Sequence, residues 1–129
     1  MTFPRDLSYT RDHEWARIEG DLIRVGITAY AVQQLGDVTL VDIATQGEEV
    51  QAHERFGDIE SVKTVSELFA PVSGEIVEVN ASLESSPELV NEGPYEDGWL
   101  IVVRPSDQSE LETLMDAAKY EEYLGTLDG

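Results

Sequence analysis

Hydrophobic and polar positions alternate in short runs along most of the chain, and turn residues close each run. A period of two predicts half-buried strands. "HEWARIEG" and "DLIRVGIT" are two such runs, with Gly20-Asp21 between them as a hairpin signal. "TAYAVQQLG" breaks the alternation and predicts a short helix near 29–35. Thr28 is placed to cap it, Ala31, Val32 and Leu35 share a face, and Gly36 ends it. "DVTLVDI" reads as a strand with Val38, Leu40 and Asp42 on one side and Thr39, Val41 and Ile43 on the other, which points to cover on both faces. Further strands are expected around Val50, up to Val62 in "RFGDIESV", down from Ser66 in "SELFAPVSG", and through "EIVEVNA". "SLESSPELVNEGPYEDG" is polar and turn-rich, an ordered loop, and the unbroken apolar run "WLIVVR" predicts a buried strand. Beyond Pro105, Asp107 and Glu110 have capping-box spacing. Leu111, Leu114, Met115 and Ala118 then recur at helical spacing, so a C-terminal helix near 107–118 is expected to pack on the β core. "YEEYL" either adds a turn to it or frays.

The pattern echoes itself. "LGDVTLVDI" resembles "SGEIVEVNA", and "GEEVQAHERFGDIESV" resembles, with gaps, "PELVNEGPYEDGWLIVV". In that alignment Val50 matches Val90 and Ile59 matches Leu100. Two halves of about 40 residues predict a pseudo-twofold β structure whose halves meet at a hairpin, tip at 62–66, with Lys63 at its end. The whole chain, 1–129, is read as a single domain.

Composition narrows the function. There are no cysteines, so disulfides, thiolate nucleophiles and cysteine zinc sites are excluded. His13 and His53 stand 40 residues apart, without ligand spacing, and are read as ordinary surface or half-buried residues. A formal charge of −19 repels nucleic acid and anionic membranes. It fits either a basic partner face or a solvated surface suited to high salt. No 18-residue apolar run predicts a membrane span, and the first residues lack a secretory apolar core. A cytoplasmic monomer is expected, or a processed mitochondrial protein in a eukaryote.

Lys63 is one of only two lysines in this acidic chain. Its neighbours Val62, Thr64 and Val65 are not the residues of a flexible turn. A catalytic lysine needs desolvation or a nearby cation. Glu60 and Glu67 stand close by instead, which argues against Schiff-base chemistry. A projecting lysine on a rigid hairpin suits enzymatic modification.

The segment "GDIESVKTVSELFAPVSGEIVEVN" resembles the lipoyl-attachment region of the H protein of the glycine cleavage system. "YTRDHEWARIEGDLIRVGITAYAVQQLGDVTLVDI" and "SPELVNEGPYEDGWLIVVRPSDQSELETLMDAAKYEEYL" are similar to the rest of that family, so the likeness runs from Ser8 to Leu124. The resemblance implies a mainly β barrel-sandwich hybrid, a flattened β-barrel of the lipoyl/biotinyl-carrier type. It implies lipoic acid in amide linkage to Lys63 and a shuttle rather than an enzyme. The implied partners are glycine decarboxylase, aminomethyltransferase and dihydrolipoamide dehydrogenase, with a lipoate ligase or a lipoyl/octanoyl transferase attaching the cofactor. By position, Glu14 and Glu67 are the family's candidates for the cleft that parks the aminomethyl arm, although Glu14 also reads as an exposed strand residue. Glu67 stands where the family more often has Asp, and Thr64-Val65 where it often has Ala-Ala or Ala-Ser. The alternatives are a lipoyl or biotinyl carrier of another complex, a lipoate relay, and an unmodified acidic interaction module. Biotin carriers normally flank the lysine with Met, and Val62 and Thr64 stand here.

Overall fold

Two open antiparallel sheets close over the apolar residues that the alternation predicts. The computed structural model describes residues 3–128, so Met1, Thr2 and Gly129 of the expected single domain lie outside the described residues. The larger sheet runs β1 (Ser8–Tyr9), β2 (Glu14–Glu19), β3 (Leu22–Ile27), β9 (Ile101–Pro105), β8 (Gly74–Val79) and β5 (Glu49–Val50). The smaller places β6 (Arg55–Ser61) between β4 (Val38–Ile43) and β7 (Val65–Phe69). Val25, Ile76 and Val103 from the first meet Val41, Ile59 and Leu68 from the second in one core. The result is a flattened β sandwich, as the fold class expected.

The helices are short. α1 (Ala29–Leu35) is capped by Thr28, whose Oγ1 accepts the Ala31 amide, and is stopped by Gly36. The loop expected between β8 and β9 holds two single turns, α2 (Ser82–Ser85) and α3 (Leu89–Glu92), which bury Leu83 and Val90.

The C-terminal region departs from the 107–118 helix. A 3-10 turn covers Gln108–Thr113, and α4 runs over Ala117–Asp128. Met115 causes the break. Its amide donates to Tyr9 O at 2.9 Å and its carbonyl accepts the Tyr9 amide at 2.7 Å. A residue bridged this way to β1 cannot also sit in a helix. The capping box does not form either: Asp107 caps Ser109, while Glu110 accepts from the Ser73 amide and hydroxyl at 2.7 and 3.0 Å. The buried stripe of α4 is Ala117, Tyr120 and Leu124, which joins Phe3, Leu7, Tyr9 and Trp15 in a second cluster. Ala118, expected on the packing face, is exposed.

Strand β4 departs too. A bulge between Val38 and Leu40 resets the alternation, so Val38 and Val41 are buried while Leu40 and Asp42 are exposed. β8 carries a bulge between Ile76 and Glu78. The internal echo aligns those two residues with Val38 and Leu40. The two halves therefore share an irregularity as well as a pattern.

Register decides the faces of the smaller sheet. Val41 pairs with Ile59 and Ile59 with Ser66, with Ile59 fully buried; one residue on, Leu40, Glu60 and Val65 line up on the outer face. Replacing Ile59 with Ala is expected to destabilise the fold by about 3 kcal/mol. Glu60→Ala should stay within about 0.5 kcal/mol. Urea unfolding of both variants checks the contrast.

Candidate functional site: a lysine tip beside a carboxylate cleft

Lys63 stands exposed between β6 and β7. The Ser61 amide donates to Thr64 O at 2.8 Å, and Ser61 Oγ accepts the amides of Lys63 and Thr64, each at 3.2 Å. One serine thus satisfies the turn without glycine. The Val62 amide donates to Asp37 O at 3.1 Å, tying the tip to the loop after α1. Asn91 holds that loop from the other side, accepting the Val38 amide at 2.8 Å and donating to Gly36 O at 2.7 Å. Gly36 has φ +74°, and a Cβ there would lie 3.3 Å from Lys63 Cε. The bare backbone leaves room for the stem of the exposed lysine.

A cleft of about 330 Å³ opens beside the tip. Its walls are the turn before β2 with His13 and Glu14, the α1 residues Tyr30 and Leu35, and β7 with Glu67. Thr64, next to Lys63 in sequence, reaches its rim. Both expected carboxylates therefore line one cavity, and Lys63 stands beside it rather than in its lining.

The two carboxylates differ in character. Glu14 is 1% exposed. The turn that delivers it is strained: His13 has φ +70°, its amide donates to Thr10 O at 3.3 Å, and its carbonyl accepts the Thr28 amide at 2.9 Å. Thr10 Oγ1 donates to Glu14 Oε1 at 2.7 Å, and the Phe69 amide donates to Oε2 at 3.3 Å. Burial pushes the Glu14 carboxyl up to about 8, against the pull of those two hydrogen bonds. Glu67 is exposed and pairs loosely with Arg55 Nε at 3.7 Å. Arg55 is shared with Asp58, to which it also donates.

His13 is more than the ordinary residue expected. It lines the cleft, and its ring lies 4.7 Å from that of Tyr30. The signal was its place beside Glu14 in "HEW". The α1 wall left no such mark, because its contribution depends on where the helix docks. His53 takes φ +69° in a separate turn, away from this cleft.

A family model described as Glycine cleavage H-protein matches residues 7–126. The chain belongs to the glycine cleavage H-protein family. It is 54% identical to a glycine cleavage system H protein of Bacillus licheniformis, over 96% of this chain and 98% of that one. It is 56% identical to one from Bacteroides thetaiotaomicron, over 94% and 96%. The crystal structure of a glycine cleavage system H protein from Mycobacterium marinum superposes with a TM-score of 0.84 at 43% identity, covering 98% of this chain and all of that one. Those likenesses extend through the whole of both sheets, the tip and the cleft.

In this H-protein family member the raised Glu14 value has a thermodynamic consequence. Below about 4.5 both folded and unfolded chains hold the proton. As pH rises toward 8, the unfolded chain releases it and the folded chain keeps it, so stability is lost through that window. Glu14→Gln keeps the shape and removes the ionisation. Its stability relative to wild type should rise by more than about 1 kcal/mol between pH 5 and 8. His13 contributes equally to both proteins and cancels. Urea titrations across that range make the comparison, and a flat difference would refute the buried-acid reading.

Proposed function

We propose that this chain is the lipoyl-bearing carrier of a glycine cleavage system, acylated at Lys63 Nζ. The observation that carries this reading is the placement of one exposed lysine, on a hydrogen-bonded tip, beside a cleft walled by Glu14 and Glu67. The Gly36 cradle fits the attachment, since it leaves the lysine stem supported and its nitrogen free. Lipoate, once attached, supplies a cyclic disulfide on a flexible arm, which opens by attack at sulfur. The chain has no cysteine to compete for that disulfide.

The protein's own part is to present, to shelter and to release. The tip presents the nitrogen to a lipoate ligase or a lipoyl/octanoyl transferase. The cleft shelters the aminomethyl cargo, which carries an ammonium group. A buried carboxyl with a raised value gives its proton to solvent when that cation arrives, and the two then form a charge-assisted hydrogen bond. Glu14 is the inner acid and Glu67, exposed at the rim, the outer one. Glycine decarboxylase loads the carrier, aminomethyltransferase passes the one-carbon unit to tetrahydrofolate, and dihydrolipoamide dehydrogenase restores the disulfide. Tethering keeps the reacting group at about millimolar local concentration for a docked enzyme. The carrier performs no catalysis itself and works in the cytoplasm.

Incubation with a lipoate ligase, lipoate and ATP should add one lipoyl increment to the intact mass, and none to Lys63→Arg. Glycine-dependent carbon dioxide exchange with the decarboxylase should follow the same split. A Lys63→Arg protein as active as wild type would refute the carrier role.

A further inference from the structure

Tyr120 belongs to α4, outside the cleft, yet its side chain reaches both walls. It is fully buried, with its ring stacked on Tyr9 at 4.8 Å and 6°. Its hydroxyl lies 2.8 Å from His13 Nδ1 and 2.9 Å from Thr28 Oγ1. His13 belongs to the strained turn that delivers Glu14. Thr28 is the cap of α1, which forms another wall.

Thr28 Oγ1 accepts the Ala31 amide at 3.2 Å and keeps its own proton and a second lone pair for Tyr120. With the Thr28 proton given to Tyr120, Tyr120 donates to His13 Nδ1 and the imidazole proton sits on Nε2; with the order reversed, Nδ1–H donates to Tyr120 and Tyr120 to Thr28. In either order the link fixes one tautomer. Burial holds His13 below its ordinary value, which keeps the ring in the neutral form this arrangement needs.

We infer that Tyr120 is a positioning residue for the cargo cleft, its hydroxyl joining the Glu14 turn to the cap of α1 and so coupling the C-terminal helix to retention of the arm. This rests on the cleft being the place where cargo is sheltered. Without the hydroxyl, the turn and the helix each lose one buried partner, and only the backbone bond from the Thr28 amide to His13 O still joins them directly. The stack on Tyr9 and the edge contact with Phe3 do not involve that hydroxyl and survive its removal.

The test compares Tyr120→Phe, Thr28→Val and Thr28→Ser with wild type. In the unmodified proteins, amide exchange at Glu14 and Ala31 should quicken at least about fivefold in Tyr120→Phe, the scale of one lost buried hydrogen bond. Exchange at Val103, two strands along from β2 in the same sheet, should not change. Nitrogen-15 spectra of the His13 ring should show a single tautomer in wild type and a mixture in Tyr120→Phe. Thr28→Val should reproduce both effects by cutting the link from its other end, and Thr28→Ser, which keeps the hydroxyl, should behave as wild type. In lipoylated protein loaded from glycine, the one-carbon unit should escape to water at least about fivefold faster from Tyr120→Phe. Thr28→Val also removes the α1 cap, so the deciding readouts are in Tyr120→Phe: unchanged exchange at Glu14 and Ala31 with an unchanged His13 tautomer would overturn the inference, as would unchanged escape. Failure of the wild-type protein to accept lipoate would instead strike the carrier reading, and leaves the exchange and tautomer results to decide the coupling alone.

Discussion

Ile59, fully buried at the centre of the smaller sheet, pairs with Val41 on one side and Ser66 on the other. Strand side chains alternate with a period of two, so shifting β6 by one residue would turn Ile59 to water and Glu60 inward. That shift is prohibitive, and it locks the hairpin that ends in Val62, Lys63 and Thr64. The lysine's placement is therefore a consequence of core packing several residues away. The tip needs no flexible residue, because Ser61 supplies the turn's hydrogen bonds and Asp37 O anchors Val62 from outside.

The same rigidity builds the cleft. β7, held in register by β6, offers its edge as one wall, and α1 and the His13 turn provide the others. Within an intensely acidic protein, Glu14 is set apart by burial alone. The exposed carboxylates are screened by water and interact weakly at a distance. Glu14 is buried and its carboxyl oxygens accept from two donors, so the neutral acid is favoured until a cation comes close. On the proposed reading, a cleft with a buried acid inside and an exposed one at its rim would discriminate in favour of a small ammonium group. That is the physical basis of the proposed sheltering role.

Much of this was legible beforehand. The strand alternation, the Thr28 cap, the Gly36 stop and the tip at Lys63 all rest on local rules, and all were read from neighbours in sequence. The echo between halves reaches the paired bulges of β4 and β8 but fails at Val50, a strand residue whose expected match Val90 lies in helix α3. The faces of β4 were misread because a bulge adds a residue without leaving a compositional mark. The C-terminal helix was placed too early because Leu111, Leu114 and Met115 have helical spacing, and that spacing is silent about the bridge to Tyr9 that breaks it.

The chain by itself determined its β class and its tip lysine, and its family pattern pointed to Glu14 and Glu67, because periodicity, turn chemistry and a family pattern are all carried by residues close together or in fixed order. Only the tertiary structure decided that Glu14 is buried rather than on an open strand face, that His13 and α1 complete the cleft, and that Tyr120 reaches from α4 to both. Those properties depend on the dielectric and partners that distant segments bring. His13 and Tyr120 are 107 residues apart along the chain, and no local rule relates them before the core closes.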